Sequence, residues 1–334
     1  MSEARAPTPY EQRGDSAGAF LRRFMLRPEA PALVFLAVLV AAFTLSSDKF
    51  LSATNLESIV VSVAVLGTIA LAVNQVILCG EIDISTGSMM GLCAVAAGAV
   101  ATSTGGLILP LLAGVAVGAL AGAVNGLLVT AGRIPSIIVT LGMLYALRGV
   151  ILLVTGGTWI TGLPNETRVL GMGSMLGIEY PVLILLVLFV VIELVSRHST
   201  WGRNVFAVGG NRRAARLAGL PIDRVRFLAF VLVGVFVGIA SIIYLGRAGS
   251  VQTNTGTGLE LQVVAAVVIG GTSISGGRGS SLAALTGAVL IGVILNGLIL
   301  LGVPGIWQDA VLGGLILLAV ATDVLRRRLI GDKA

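Results

Sequence analysis

The chain has 334 residues, 56% of them hydrophobic and 11% charged, with a formal net charge of +6 and a mean hydropathy of +1.01. Those values exclude an ordinary soluble globular domain and put the chain among polytopic membrane proteins. A basic excess can also mark a nucleic-acid binder, but here the positions of the charges assign it to membrane topology.

The first 29 residues are polar and mixed in charge, with Pro7, Pro9 and Gly14 and no short apolar core before a small-residue cleavage site. They read as a disordered tail. Ten apolar runs follow, at about 31–46, 57–78, 86–103, 107–130, 136–155, 181–196, 226–246, 260–275, 282–302 and 304–325. A helix needs roughly 20 apolar residues to cross the bilayer core, and the runs lack the alternation of a membrane barrel. The expected fold is all-α: a polytopic bundle of about ten transmembrane helices over residues 30–326, flanked by tails at 1–29 and 327–334.

With the first tail inside, the inside segments carry five arginines in that tail, Arg133, seven arginines between Arg197 and Arg226, Arg278, and four basic residues at the C-terminus. That is 18 of the 22 lysines and arginines. Basic residues gather on the cytoplasmic side of inner-membrane proteins, so both termini are expected in the cytoplasm, with no polyanion partner required.

Glycine stripes occur within the spans: Gly114, Gly118 and Gly122, then Gly234 and Gly238. Small-xxx-small spacing lets helices approach closely, and packing explains it without a further role. Cys79 and Cys93 read as buried apolar thiols. An Asn-Gly word on the fourth span, at Asn125, returns at Asn296 on the ninth, which runs the other way. This suggests an inverted repeat. An out-of-register pairing competes with it, between the words beginning at Gly80 and at Gly270.

Three motifs carry candidate chemistry. In GEIDISTGS, Gly80 to Ser88, the carboxylates Glu81 and Asp83 stand near membrane depth, where ionisable groups are expensive and are functional or internally paired. Asp83 or Ser85 also suits the N-cap of the third span, the blander role. The polar side chains Asn74, Gln75, Asn125, Tyr145, Arg148, Gln262 and Asn296 lie within spans and could together line a path for a hydroxylated solute; helix–helix hydrogen bonding is the plainer reading of each. VIGGTSISGGRGSS, Val268 to Ser281, lacks the lysine of a phosphate-binding loop and reads as a flexible turn between spans. The single histidine, His198, excludes a histidine-based zinc cluster. No catalytic constellation and no cofactor site is expected.

The loop from Arg197 to Arg226 holds seven arginines and one acid, Asp223. Gly209 and Gly210 precede Asn211, a natural N-cap, and Gly219 and Pro221 end a short helix over Arg212 to Leu217. A purely topogenic loop needs fewer arginines and no capped helix, so a docking surface is expected here.

GEIDISTGS, GRNVFAVGGNRRAARLAGL and GTGLELQVVAAVVIGGTSISGGRGS resemble the membrane subunits of bacterial ABC importers for ribose, galactose, rhamnose, autoinducer-2 and related solutes, over about residues 50 to 325. Glu81 departs from that family's Gly-Gly-Ile-Asp-Leu-Ser pattern. The resemblance implies a type II importer fold and a permease dimer with a solute path between its halves. Its partners would be two ATP-binding subunits at the cytoplasmic loop and a periplasmic solute-binding protein. It assigns ATPase coupling to Gly209, Gly210, Asn211, Arg212, Ala214, Ala215 and Gly219, with Arg213 and Arg216 as further partners for ATPase acids. The stretch from Arg148 to Pro164 places rhamnose or autoinducer-2 ahead of ribose, galactose and xylose. The rival reading is an ion-coupled secondary transporter working through Glu81 and Asp83.

Overall fold

The structure, a computed structural model, describes residues 30–330. The expected N-terminal tail lies outside the described residues, as do 331–334. Among the described residues the chain forms thirteen helices and one short hairpin. They are α1 (Ala30–Ser46), α2 (Ala53–Leu78), α3 (Thr86–Thr104), α4 (Ile108–Thr130), α5 (Ser136–Thr155) and α6 (Asn165–Met172), then β1 (Ser174–Met175) and β2 (Ile178–Glu179). After the hairpin come α7 (Tyr180–His198), α8 (Thr200–Gly210), α9 (Arg212–Leu217), α10 (Ile222–Ala248), α11 (Leu259–Ile269), α12 (Ser281–Leu300) and α13 (Gly305–Ile330).

Seven of these, α2, α3, α4, α5, α7, α10 and α12, are long and apolar enough to cross a membrane. The other three expected spans are shorter apolar helices: Ala30–Ser46, Leu259–Ile269 and Gly305–Leu318. The eighth run departs furthest from expectation. It stops at Ile269 rather than near residue 275, because Gly270 begins a non-helical stretch that lasts to Ser280. At about 1.5 Å per residue, α11 covers roughly half of a ~30 Å hydrocarbon core.

The bundle is organised around α2 and α10. Two-thirds of the best apolar window of α2, α3 and α10 is buried, against 22% for α5 and α7, so the former make the core and the latter its outer wall. The two glycine stripes meet, as packing requires: α4 and α10 run antiparallel, with Gly118 against Gly234 and Gly122 against Phe230. A Cβ on Gly118 would overlap the Gly234 carbonyl oxygen, and one on Gly234 would overlap that of Gly118. Ser241 lies against Gly114 one turn further along. Dispersion between touching backbones, rather than water exclusion, supplies the attraction here.

One end of the bundle carries α8, α9, the stretch 270–280 and the α4–α5 turn. The other carries α6, the hairpin and the α1–α2 connection. Asn55 and Asn296 exchange two amide hydrogen bonds, of 3.0 and 2.8 Å, near that second end.

Candidate coupling site

Each short helix at the basic end is capped by its own sequence. Ser199 Oγ accepts from the Gly202 N–H at 2.9 Å and starts α8. Asn211 Oδ1 accepts from the Ala214 N–H, also at 2.9 Å, and starts α9. At the far end of α9, Gly219 takes φ +72°. Its N–H bonds to Arg216 O at 3.0 Å, and the Leu220 N–H bonds to Ala215 O at 3.1 Å. This is the Schellman closure, which requires a left-handed residue and so favours glycine. The helix spans Arg212–Leu217, as its flanking signals predict.

Three backbone segments meet beneath it. The Gly277 N–H donates to Leu78 O at 2.9 Å, joining the end of α2 to the stretch 270–280. A Cβ on Gly209 would overlap the same Leu78 oxygen, and one on Gly277 would come within 2.5 Å of Gly210 Cα. Gly80 lies against Gly276 on the other side. The Gly-rich stretch is therefore not the flexible turn expected from its composition. Its glycines allow three chains to touch where any side chain would hold them apart.

Glu81 ties this junction together by charge. Its Oε1 accepts from Arg212 Nη2 at 2.5 Å and from Arg226 Nε at 2.8 Å. Arg212 Nη2 also donates to Cys79 O at 3.3 Å. The side chains of Glu81 and Arg226 are nearly buried, whereas Arg212 is about two-fifths exposed. One carboxylate thus links the segment after α2 to the start of α9 and the first turn of α10.

Asp83 is fully buried and serves the backbone. Its Oδ1 accepts from Ser85 N–H at 2.9 Å and from Ser85 Oγ at 2.7 Å. Ser85 holds the N-cap position of α3 without making a side-chain cap bond, so Asp83 fixes the turn before the helix rather than capping it. Asn125 Nδ2 donates to Ser85 Oγ at 2.9 Å and to Asp83 Oδ2 at 3.4 Å, joining that turn to α4. Asn74 and Gln75 are also fully buried. Asn74 Oδ1 accepts from Thr272 Oγ1 at 2.7 Å, and Gln75 Oε1 from Ser196 Oγ at 3.4 Å. Gln262 on α11 is half-buried. Tyr145 is exposed on α5, and Arg148 Nη1 donates to Thr255 O at 2.9 Å. The structure thus joins Asp83 to Asn125 and draws Glu81 to Arg212 and Arg226 of the basic loop, while it holds Asn296 at the opposite end.

The residues expected to couple to an ATPase divide by exposure. Ala215 is buried under α9, whereas Asn211, Arg213, Ala214, Arg216 and Gly219 are exposed. Leu217, which sequence reasoning passed over, stands 84% exposed. The signal was its spacing: four residues from Arg213 and two from buried Ala215, it must share the outward face. His198 is exposed, and Cys79 and Cys93 are buried thiols without a disulfide.

The family described as "Branched-chain amino acid transport system / permease component" matches residues 55–320. The chain belongs to this permease family. It is 36% identical over 332 residues to the L-arabinose ABC transporter permease protein AraH of Azospirillum brasilense, an alignment covering 98% of both chains. It is 37% identical to the autoinducer 2 import system permease protein LsrC of Enterobacter sp. strain 638, over 90% of this chain and 87% of that one. It is 36% identical to the ribose import permease protein RbsC of Escherichia coli K12, over 88% and 93%. No solved structure matches. All three are named as permease proteins, the first of an ABC transporter.

Proposed function

We propose that this permease forms half of a dimeric path for a small, neutral, polyhydroxylated solute across the bacterial inner membrane. Two ATP-binding subunits would drive it and a periplasmic binding protein would supply it. The basic end then faces the cytoplasm, a reading supported by the 18 inside basic residues and by the docking chemistry gathered there. The family's description mentions branched-chain amino acids, whereas the relatives above are named for arabinose, autoinducer-2 and ribose. Those names support a sugar or sugar-like solute; among the solutes the sequence suggested, autoinducer-2 and ribose have a named relative, and arabinose joins them.

One observation carries the mechanical part of this reading: α9 is capped at both ends and fastened inward through Glu81, and the end of α8 just before it is fastened by the Gly209–Leu78–Gly277 contact. Such an element moves as a rigid body. Arg213, Ala214 and Leu217 face outward for an ATPase cleft, and Gly210 is open beside them. Closure of the ATPases on ATP would displace α9, and Arg212 and Arg226 would pass that displacement through Glu81 to the segment 80–85, which enters α3. In this scheme Asp83, Asn125, Asn74 and Gln75 hold the path's walls in place, while half-buried Gln262 borders it.

The test is uptake into vesicles reconstituted with both ATPases and the binding protein, over a panel of arabinose, ribose, rhamnose, galactose, xylose and autoinducer-2. We expect ATP- and binding-protein-dependent uptake of one solute, abolished by Gly210→Arg with membrane insertion intact. Uptake driven by an ion gradient without ATPase, abolished by Asp83→Asn and indifferent to Gly210→Arg, would sink the proposal.

A further inference from the structure

A cavity of about 870 Å³ opens at the basic end between the α4–α5 turn, the segment 80–82, α9 and the start of α10. Four arginines line it, Arg133, Arg212, Arg216 and Arg226, against two acids, Glu81 and Asp223, which leaves two positive charges in excess. The two acids are already engaged: Glu81 with Arg212 and Arg226, and Asp223 with Arg226 at 3.5 Å. Arg133 and Arg216 are the remaining cations, and neither makes an ion pair among the described residues.

Arg133 is built unusually. Its φ is +55°, a left-handed conformation that glycine adopts freely and an L-residue adopts at a cost. Gly132 stands beside it, so the chain had a glycine within one residue and still placed an arginine in the strained position. The position follows the end of α4, where the Ile134 N–H bonds to Leu128 O at 3.2 Å around the left-handed residue. Arg216 reaches the cavity from α9 one turn after Arg212, on the flank that Leu217 does not occupy.

We propose that this cavity binds a phosphate-bearing anion, held between the guanidinium groups of Arg133 and Arg216. The planar fork of arginine pairs two N–H donors with two phosphate oxygens, and two such forks from different elements suit a phosphate monoester or diester better than a carboxylate. The anion's source is either a soluble phosphate ester or the headgroup of an anionic lipid, which basic recesses at the cytoplasmic ends of membrane helices also collect. The site does not depend on which solute the permease carries. Occupancy would bridge the α4–α5 turn to α9 and so restrain the coupling helix.

The experiment uses the full-length chain in nanodiscs of phosphatidylcholine. Thermal melting is followed against glycerol 1-phosphate, against sodium chloride at matched ionic strength, and against increasing phosphatidylglycerol in the disc. We expect a saturable rise in Tm with a phosphate ligand that chloride does not reproduce. It should weaken about tenfold in half-saturation with Arg216→Gln and vanish with Arg133→Gly plus Arg216→Gln. Arg133→Gly relieves the left-handed strain, so loss of folding would not explain the vanished shift. A response to glycerol 1-phosphate assigns the site to a soluble ester, and a response to phosphatidylglycerol alone assigns it to lipid. An equal rise with chloride, no rise with either phosphate source, or a rise that survives the double substitution overturns the proposal.

Discussion

Glu81 Oε1 lies 2.5 Å from Arg212 Nη2, across 131 positions of sequence, and binds the segment leaving α2 to the first turn of α9. A buried carboxylate shared by two guanidiniums is costly to leave incomplete: removing one partner of such a cluster destabilises by about 3–5 kcal/mol when the other charge stays buried.

Glu81→Gln should therefore lower stability by about 2–3 kcal/mol, less than the full figure because Arg212 can turn to water. It should also depress ATP-dependent uptake more than ATPase binding. Melting temperature and uptake measured together check this. An unchanged uptake-to-ATPase ratio would remove Glu81 from the coupling path.

The neighbouring glycines should separate cleanly. Gly209→Ala drives a Cβ into the Leu78 carbonyl and should cost about 1–3 kcal/mol, as forced overpacking does. Gly210 has open space where its Cβ would point, so Gly210→Ala should change stability by less than about 0.5 kcal/mol. Chemical or thermal melting of the two variants in one detergent decides it.

Leu217 exposes most of its side chain at the basic end. Leu217→Asp should leave melting unchanged within about 0.5 kcal/mol and weaken association with the ATPase subunits about tenfold or more, the behaviour of an anchor at the centre of an interface. Co-purification or surface binding of the ATPase reads the second effect. Equal affinity would move the docking surface elsewhere on the loop.

At the opposite end, burial and then the charge of nearby Glu57 raise the Glu179 carboxyl above the usual carboxylate range, with Arg247 opposing them. A carboxyl whose folded pKa is raised destabilises the fold once it ionises, so stability should rise as pH falls through that raised value. Glu179→Gln should accordingly stabilise at neutral pH, with the gain fading towards acid. Melting curves across pH 4 to 8, on the order of the carboxylate range and above, give the profile.

Much of the fold is legible in residue order. Apolar runs must become helices in lipid, so the seven long spans follow from composition. Asn211, Gly219 and their spacing specify α9 because capping is a local interaction. The glycine stripes on α4 and α10 announce close packing, though nothing in either stripe says that the other is its partner.

What the sequence alone determined is local: membrane class, the charge asymmetry of the loops and the capped helix between Arg212 and Leu217. Tertiary structure decided which segments touch. It ended α11 at Ile269, turned Ala215 inward and Leu217 outward, and set Gly209, Leu78 and Gly277 in one junction. It also gave Glu81 to two arginines, one on α9 and one on α10. The physical reason is range. Caps and hydropathy act over a few residues and leave a pattern there, whereas an ion pair or a backbone contact between segments more than a hundred residues apart leaves no period or spacing to read.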